Sequence, residues 1–149
     1  MLSIARTLEL PSARMRPDPA SIKAKVLALL PPIKAAALAT EQAATVPAAS
    51  IEMLREAGYF EIVKPQAFGG YEHDFDLLVD LNIELAKACA STAWVAGLLA
   101  GHQWLLASFP GQAQHDVWDR DPHAVLCGSY APAAKAAAGA AIHALASMI

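Results

Sequence analysis

The residue best suited to chemistry is His102, which lies in an apolar run, STAWVAGLLAGHQW, at residues 91–104. At about 100° per residue, a helix places it on one face with Val95 and Leu98. An unpartnered polar group on such a face costs about 1–3 kcal/mol, so the imidazole is expected to have a hydrogen-bond partner or to border a cavity. Taken alone, the pattern favours a hydrogen-bonded core histidine over a functional one.

Other reactive residue types occur without a productive spacing. The two cysteines, Cys89 and Cys127, match neither CxxC metal spacing nor the dense pattern of a small secreted scaffold. A reducing, cytoplasmic location is therefore expected. The histidines show no HxxxH or HExxH spacing, so no metal site is predicted. They are His73, His102, His115, His123 and His143.

Length and charge exclude several classes of protein. A chain of 149 residues normally forms one domain and can bury a substantial core. The net charge is -3 and the 11 Lys and Arg residues are scattered, so no nucleic-acid surface is expected. Residues 88–115 contain no Asp, Glu, Lys or Arg, but polar residues and Pro110 interrupt the about 20 apolar residues that a membrane span needs. The run therefore predicts a buried core helix and no membrane span.

Two helices are predicted in the first part of the chain. Apolar residues at helical spacing run from Ser21 to about Thr45, with a kink or split at Pro31-Pro32. A second helix follows Pro47 and ends at Gly58, because glycine favours a left-handed stop.

A connection and two further helices follow. Residues 59–74 are expected to form a surface connection, in which Gly69-Gly70 permits a turn with positive φ. Asp74 can cap a third helix through about Ala90, and Ser91 can cap the fourth, which holds His102. The apolar side of the third helix is predicted to contain Phe75, Leu78, Leu81 and Leu85.

The last patterned elements are a short helix and a strand candidate. Residues 111–120 predict a helix with Val117 and Trp118 facing inward. Residues 123–132, HAVLCGSYAP, are short, apolar and bounded by turn residues, which favours a strand. The fold class is therefore all-α, with at most one short strand near residues 123–130.

Three blocks of sequence carry a resemblance to a known family. Within residues 47–132 they read PAASIEMLREAGYFEIVKPQAFGGYE, ELAKACASTAWVAGLLAGHQW and DVWDRDPHAVLCGSYAP. In this order they resemble the N-terminal helical domain of flavin-dependent monooxygenases with the acyl-CoA dehydrogenase fold. These proteins are the oxygenase components of two-component aromatic hydroxylases, of the p-hydroxyphenylacetate hydroxylase type.

The resemblance and the composition together divide the chain into four parts. Residues 1–19 are interpreted as a flexible leader, and residues 20–122 as the helical acyl-CoA dehydrogenase-like N-terminal domain. Residues 123–132 would be the crossover toward a β-domain, whose strand pattern this sequence lacks. Residues 133–149 are an alanine-rich tail of low complexity. The expectation is a truncated or frame-shifted oxygenase that is not competent alone.

The resemblance also implies a chemistry and its residues. A separate flavin reductase would supply reduced FMN or FAD, which with oxygen would hydroxylate a phenol-like aromatic substrate. His102 falls on the family's active-site histidine, a proton-handling role suited to a group with an ordinary pKa of about 6.5. Trp94 matches a position near the flavin ring, with plain core packing as its alternative. A family serine near the flavin's reactive edge aligns with Gly128, and Ser129 is the next residue. Consecutive side chains of a strand point to opposite faces, so residues 128 and 129 are not equivalent positions.

Two other hypotheses stay open. Acyl-CoA dehydrogenases proper share the helical layout, but their crossover has Ser or Thr, Glu and Pro where residues 129–136 read SYAPAAKA, so the monooxygenase branch is favoured. A non-enzymatic helical module would instead bury its apolar helices against a partner chain. In the full-length family, the resemblance also implies a homo-oligomer.

Overall fold

The computed structural model describes residues 16–128, and these are helical, as the sequence predicts. None of the helices in this range has the length and hydropathy that crossing a bilayer requires. Two 3-10 turns, Tyr59–Glu61 and Gln66–Phe68, separate the fourth and fifth helices. The α-helices are α1 (Pro19–Ala28), α2 (Leu30–Ala35), α3 (Ala37–Ala43), α4 (Ala48–Glu56), α5 (Phe75–Ala88), α6 (Ala90–Ala107) and α7 (Gly111–Trp118).

The first predicted helix is present as three short helices. It begins at Pro19, two residues earlier than predicted. The breaks fall at Leu29 and Ala36 rather than at Pro31-Pro32, because the prolines lie in the first turn of α2. The N–H groups in the first turn of a helix have no hydrogen-bond partner within the helix, so proline, which lacks this group, is tolerated there.

Helices α5 and α6 form the centre of the fold and run antiparallel. A single residue, Cys89, joins them with extended backbone (φ -155°, ψ 110°). Phe75 at the start of α5 contacts Trp104 near the end of α6, with ring centroids 5.5 Å apart. Cys89 occupies the position before α6, so the prediction that Ser91 caps this helix is wrong, and Ser91 lies in its first turn.

Small residues allow α5 and α6 to pack closely. A Cβ atom on Gly97 would lie 2.8 Å from Nδ2 of Asn82, so this crossing has no room for a side chain. Oδ1 of the same amide accepts a 2.9 Å hydrogen bond from the hydroxyl of Tyr59. Burial raises the pKa of Tyr59 well above its usual range. The buried residues of α6 are Thr92, Ala93, Ala96, Ala100, Gln103 and Leu106.

The exposed faces of the central helices are also apolar. Leu78, Leu81 and Leu85 are buried, as predicted for α5, whereas Phe75 at the start of the helix is 42% exposed. Asp74 precedes α5 without making a side-chain capping bond. Phe75 lies one turn before the buried residues, and its ring contacts that of Trp104. The large exposed apolar side chains of α5 and α6 are Phe75, Val79, Ile83, Trp94, Leu98 and Trp104.

The connection between α4 and α5 is part of the core rather than a surface loop. Gly58 and Gly69 have positive φ, as predicted. The chain then doubles back, with the amide of Tyr71 donating to the carbonyl of Glu61 over 2.7 Å. This folding-back turns the apolar side chains of the connection inward and explains why the surface prediction fails. The buried side chains are Tyr59, Phe60, Ile62, Val63, Lys64 and His73.

The chain after α6 contains the predicted short helix but no strand in its described part. Trp118 of α7 is 2% exposed, which confirms that it faces inward. Residues 123–128 form no strand, and the carbonyls of His123 and Ala124 accept hydrogen bonds from side chains instead. Residues 129–132, the rest of the strand candidate, lie outside the described residues, as do the proposed tail at 133–149 and most of the proposed leader.

Candidate functional site

His102 lies on the half-exposed side of α6 and not in the core. Its Nδ1 is 2.6 Å from the carbonyl oxygen of Leu98, one turn earlier in the same helix. A carbonyl can only accept a hydrogen bond, so Nδ1 carries the proton in the neutral ring. The lone pair of the neutral imidazole is therefore on Nε2, on the side of the ring away from that bond.

Nε2 of His102 faces the backbone of Gly128. A Cβ atom added at residue 128 would lie 2.8 Å from Nε2, inside the distance at which side-chain carbons normally approach a neighbour. Because residue 128 has no side chain, its backbone lies against Nε2 without steric overlap. Two residues predicted from sequence, 26 positions apart, are thus brought together, whereas Ser129 lies outside the described residues.

Trp94 is separated from this pair. It lies eight residues before His102, which corresponds to about 12 Å along the helix axis. Its side chain is 71% exposed, so core packing among the described residues is not its role. The indole borders a groove between the start of α6 and the end of α3. The groove also contains Ala44, Thr45, Val46 and Ser91.

The arrangement can accept a proton from a group that approaches Nε2 of His102. Because Nδ1 is held by the Leu98 carbonyl, the ring keeps one tautomer and one orientation. The apolar side chains beside it, including Leu98 at 39% exposure, offer a surface to an aromatic ring. Within residues 16–128, no group of His, Cys, Asp and Glu side chains is arranged to hold a metal ion.

Gln103 was not predicted as a site residue, although it adjoins His102. It is 1% exposed, and its Nε2 donates to the carbonyl of Ala124 over 3.1 Å. Its Oε1 accepts a 3.3 Å hydrogen bond from the indole N–H of Trp118. Its position on one helical face with Ala96 and Ala100 would have predicted its burial.

Lys64 is a second buried residue that was not predicted, since lysine is normally exposed. It is 1% exposed, and its Nζ donates to the carbonyl of Pro122. Oε2 of Glu61 lies 3.3 Å from this ammonium, and the ring of Trp118 faces it at 5.4 Å. Burial lowers the pKa of Lys64, and the carboxylates of Glu61 and Asp121 oppose this shift.

Comparison with known proteins identifies a family domain in this chain. Residues 29–118 match the family described as acyl-CoA dehydrogenase, N-terminal domain. The matched range includes Trp94, His102 and Lys64, and it ends at Trp118.

Similar proteins are oxygenase components. The FADH2-dependent resorcinol hydroxylase oxygenase component of Rhizobium sp. (strain MTP-10005) is 63% identical over 99 residues, which are 66% of this chain and 24% of that protein. The p-hydroxyphenylacetate 3-hydroxylase oxygenase component of Acinetobacter baumannii is 36% identical over 115 residues, 77% of this chain and 27% of that protein.

A solved structure shows the same fold. The HsaA monooxygenase from M. tuberculosis superposes with a TM-score of 0.71 at 36% identity, over 73% of this chain and 30% of that one. This chain spans about a quarter of the length of the curated relatives that it matches.

Proposed function

Because the chain belongs to the acyl-CoA dehydrogenase family, whose N-terminal domain it contains, we propose that it forms the histidine side of a flavin-dependent monooxygenase site. The reaction is hydroxylation of a phenol-like aromatic substrate. The observation that carries this proposal is that Nδ1 of His102 is bonded to Leu98, while Nε2, which has no such bond, faces the backbone of Gly128. The names of the hydroxylase relatives support this branch over an acyl-CoA dehydrogenase activity.

His102 has the catalytic role in this proposal. The phenol oxygen would approach Nε2, which accepts its proton or a hydrogen bond from it. Removal of the phenol proton makes the aromatic ring of the substrate more electron-rich and therefore easier to oxidise. The bond from Nδ1 to Leu98 keeps the imidazole in one orientation while Nε2 takes the proton.

Trp94 and Gly128 are the described residues through which this chain would contact the flavin. The exposed indole offers an aromatic face, and Gly128 offers backbone without a side chain. Reduced flavin, when bound, supplies the electrons that activate oxygen. We expect reduced FAD to be preferred over FMN, since the 63% identical relative is named as FADH2-dependent. Ser129, the next residue, stays a proposed flavin contact.

The proposal includes partners and a location. A separate reductase would supply the reduced flavin, as the term oxygenase component implies for the relatives. The complete assembly is proposed to be a homo-oligomer in the cytoplasm. The free thiols of Cys89 and Cys127 agree with the reducing environment of that compartment.

The test compares two proteins. One is the 149-residue chain, and the other is a chimera in which the remainder of the Rhizobium relative follows residue 128. Each is titrated anaerobically with reduced FAD or reduced FMN, then mixed with oxygen and resorcinol, and hydroxylated product is measured. We expect product from the chimera and none from the chain alone, since the chain spans only a quarter of such relatives.

The decisive variant is His102→Ala in the chimera. We expect product formation to fall at least about 100-fold, because general acid–base groups contribute that much, while flavin affinity changes little. The matched control is His115→Ala, an exposed histidine on α7 that bonds to Asp119. Equal losses of flavin binding and product in His102→Ala would indicate a packing role and contradict the proposal.

One observation favours a second function, a helical interaction module. The exposed apolar side chains of α5 and α6, such as Trp94, Ile83 and Trp104, form a surface that a partner chain could cover. Size-exclusion chromatography with light scattering tests this function. A defined oligomer without flavin affinity would favour it, and a monomer at all concentrations would contradict self-association.

A further inference from the structure

The backbone that leads to Gly128 is held by side chains from three parts of the fold. The carbonyls of residues 122–124 accept hydrogen bonds, in chain order, from Nζ of Lys64, Nη1 of Arg55 and Nε2 of Gln103. The Arg55 and Gln103 bonds measure 2.9 and 3.1 Å. Three successive peptide units are thus fixed to three separate elements.

The two buried donors, Gln103 and Lys64, are oriented by further contacts. The indole N–H of Trp118 can only donate, so it fixes the oxygen of the Gln103 amide toward itself and the nitrogen toward Ala124. Lys64 is fully buried, and an apolar residue of similar size would fill its place without the cost of desolvating an ammonium. What the lysine adds is a donor for the carbonyl of residue 122 and a partner for Glu61.

These contacts lie close to the reacting group in sequence and in space. Gln103 directly follows His102 on α6. Gly128 lies four positions after Ala124, and such a stretch spans at most about 14 Å. A change in the position of the Ala124 carbonyl is therefore transmitted to Gly128 over a short path.

We propose that Lys64, Arg55 and Gln103 are positioning residues that hold Gly128 against Nε2 of His102. Their effect on catalysis rests on the proposed function, whereas the three hydrogen bonds to the segment do not depend on bound flavin. The competing explanation is that Val125, which packs against the core, alone sets the path of this backbone. In that case, loss of the hydrogen bonds lowers stability without moving Gly128.

The experiment measures how accessible Nε2 of His102 is. The wild-type chain is treated with diethyl pyrocarbonate, which modifies unprotonated imidazole nitrogens, and the rates at His102 and at exposed His115 are followed by mass spectrometry. The variant Gln103→Met removes the donor to Ala124. Its matched control is Gln114→Met, since Gln114 also donates to backbone carbonyls, those of residues 107 and 109, but does not touch the segment.

We expect His102 in Gln103→Met to react about fivefold faster relative to His115, the shift that loss of one hydrogen bond produces. The control should lower the melting temperature comparably and leave the His102 rate unchanged. A rate within experimental error of wild type in Gln103→Met would overturn the proposal in favour of anchoring by Val125.

A second variant keeps the test decisive if Gln103→Met does not fold. Arg55→Met removes the donor to residue 123 from a side chain that is 34% exposed, so it disturbs the core less than a change at buried Gln103 does. It should raise the His102 rate, and an unchanged rate in a folded Arg55→Met protein would also overturn the proposal. Since no flavin is present, a wild-type chimera that makes no product would contradict only the proposed function.

Discussion

Nε2 of His102 lies 2.8 Å from the point that a Cβ atom of Gly128 would occupy, although the two residues belong to different segments. Helix α6 and the irregular segment after α7 therefore meet at Nε2 of the imidazole. A side chain at residue 128 would clash with the imidazole, and the neighbouring sequence does not reveal this steric requirement for glycine.

Replacing Gly128 by alanine should block this nitrogen. The added methyl group must displace either the imidazole or the backbone, and a displacement of about 1 Å lowers rates by up to about 100-fold. We expect a loss of at least about tenfold in kcat/KM for resorcinol in the chimera. The control is Gly101→Ala, beside His102, where an added Cβ has no neighbour within 4 Å. Equal rates in the two variants would exclude a steric role for Gly128.

The crossing of α5 and α6 should be sensitive to a methyl group at residue 97. Gly97→Ala forces the added carbon against the amide of Asn82, and overpacking of this kind costs about 1–3 kcal/mol. Urea unfolding measures this loss. The Asn82→Ala background removes the three closest atoms, so the cost of Gly97→Ala should be smaller there. An equal cost in both backgrounds would show that other contacts limit the approach.

The buried hydroxyl of Tyr59 should make the fold sensitive to alkali. Its pKa is raised by burial, whereas the unfolded chain loses the proton near its ordinary pKa of about 10. The unfolded state binds fewer protons above that pH, so the stabilisation is complete below about pH 10 and is lost as the pH rises further.

Tyr59→Phe tests this dependence. At neutral pH it should cost about 1 kcal/mol, because Asn82 loses its 2.9 Å hydrogen bond. Above about pH 10 its free energy of unfolding should fall less steeply than that of the wild type. Parallel curves for the two proteins would show that Tyr59 is not the group responsible.

The two adjacent glycines of the α4–α5 connection should respond differently to alanine. A Cβ at Gly70 would overlap the backbone of Lys64, which cannot retreat, whereas a Cβ at Gly69 meets nothing. Gly69→Ala carries only the strain of its positive φ, about 1–2 kcal/mol. Gly70→Ala should lower the melting temperature more, and the opposite order would contradict the folded-back path of this connection.

The order of the helices could be predicted from the sequence because their boundaries are local. Gly58 follows α4 with a positive φ, and Pro110 precedes α7. Glycine and proline restrict or free only their own backbone, so they mark a helix boundary in the sequence itself. The buried face of α6 could not be predicted in this way. Both of its faces are apolar, and the choice depends on how closely α5 approaches, which favours the side with Ala96 and Ala100 over the side with Leu98.

The candidate site was predictable only in part. His102 stood out because it is polar in an apolar run, but the pairing with Gly128 depended on a family resemblance, since no periodicity relates a helix to an irregular segment. Lys64 was missed because its burial depends on Glu61 and on a carbonyl 58 positions away. Side chains that donate hydrogen bonds to backbone carbonyls far away in the sequence leave no local sequence pattern.

The one-residue joint at Cys89 has a consequence for the order in which the chain folds. It brings the two longest helices together across a very short loop, so the entropy lost on closing that loop is small. Pairing of α5 with α6 can therefore precede the docking of the segments that contact it from farther along the chain. The amide hydrogens of this hairpin should be the last to exchange with solvent, and those of residues 122–128 should exchange early.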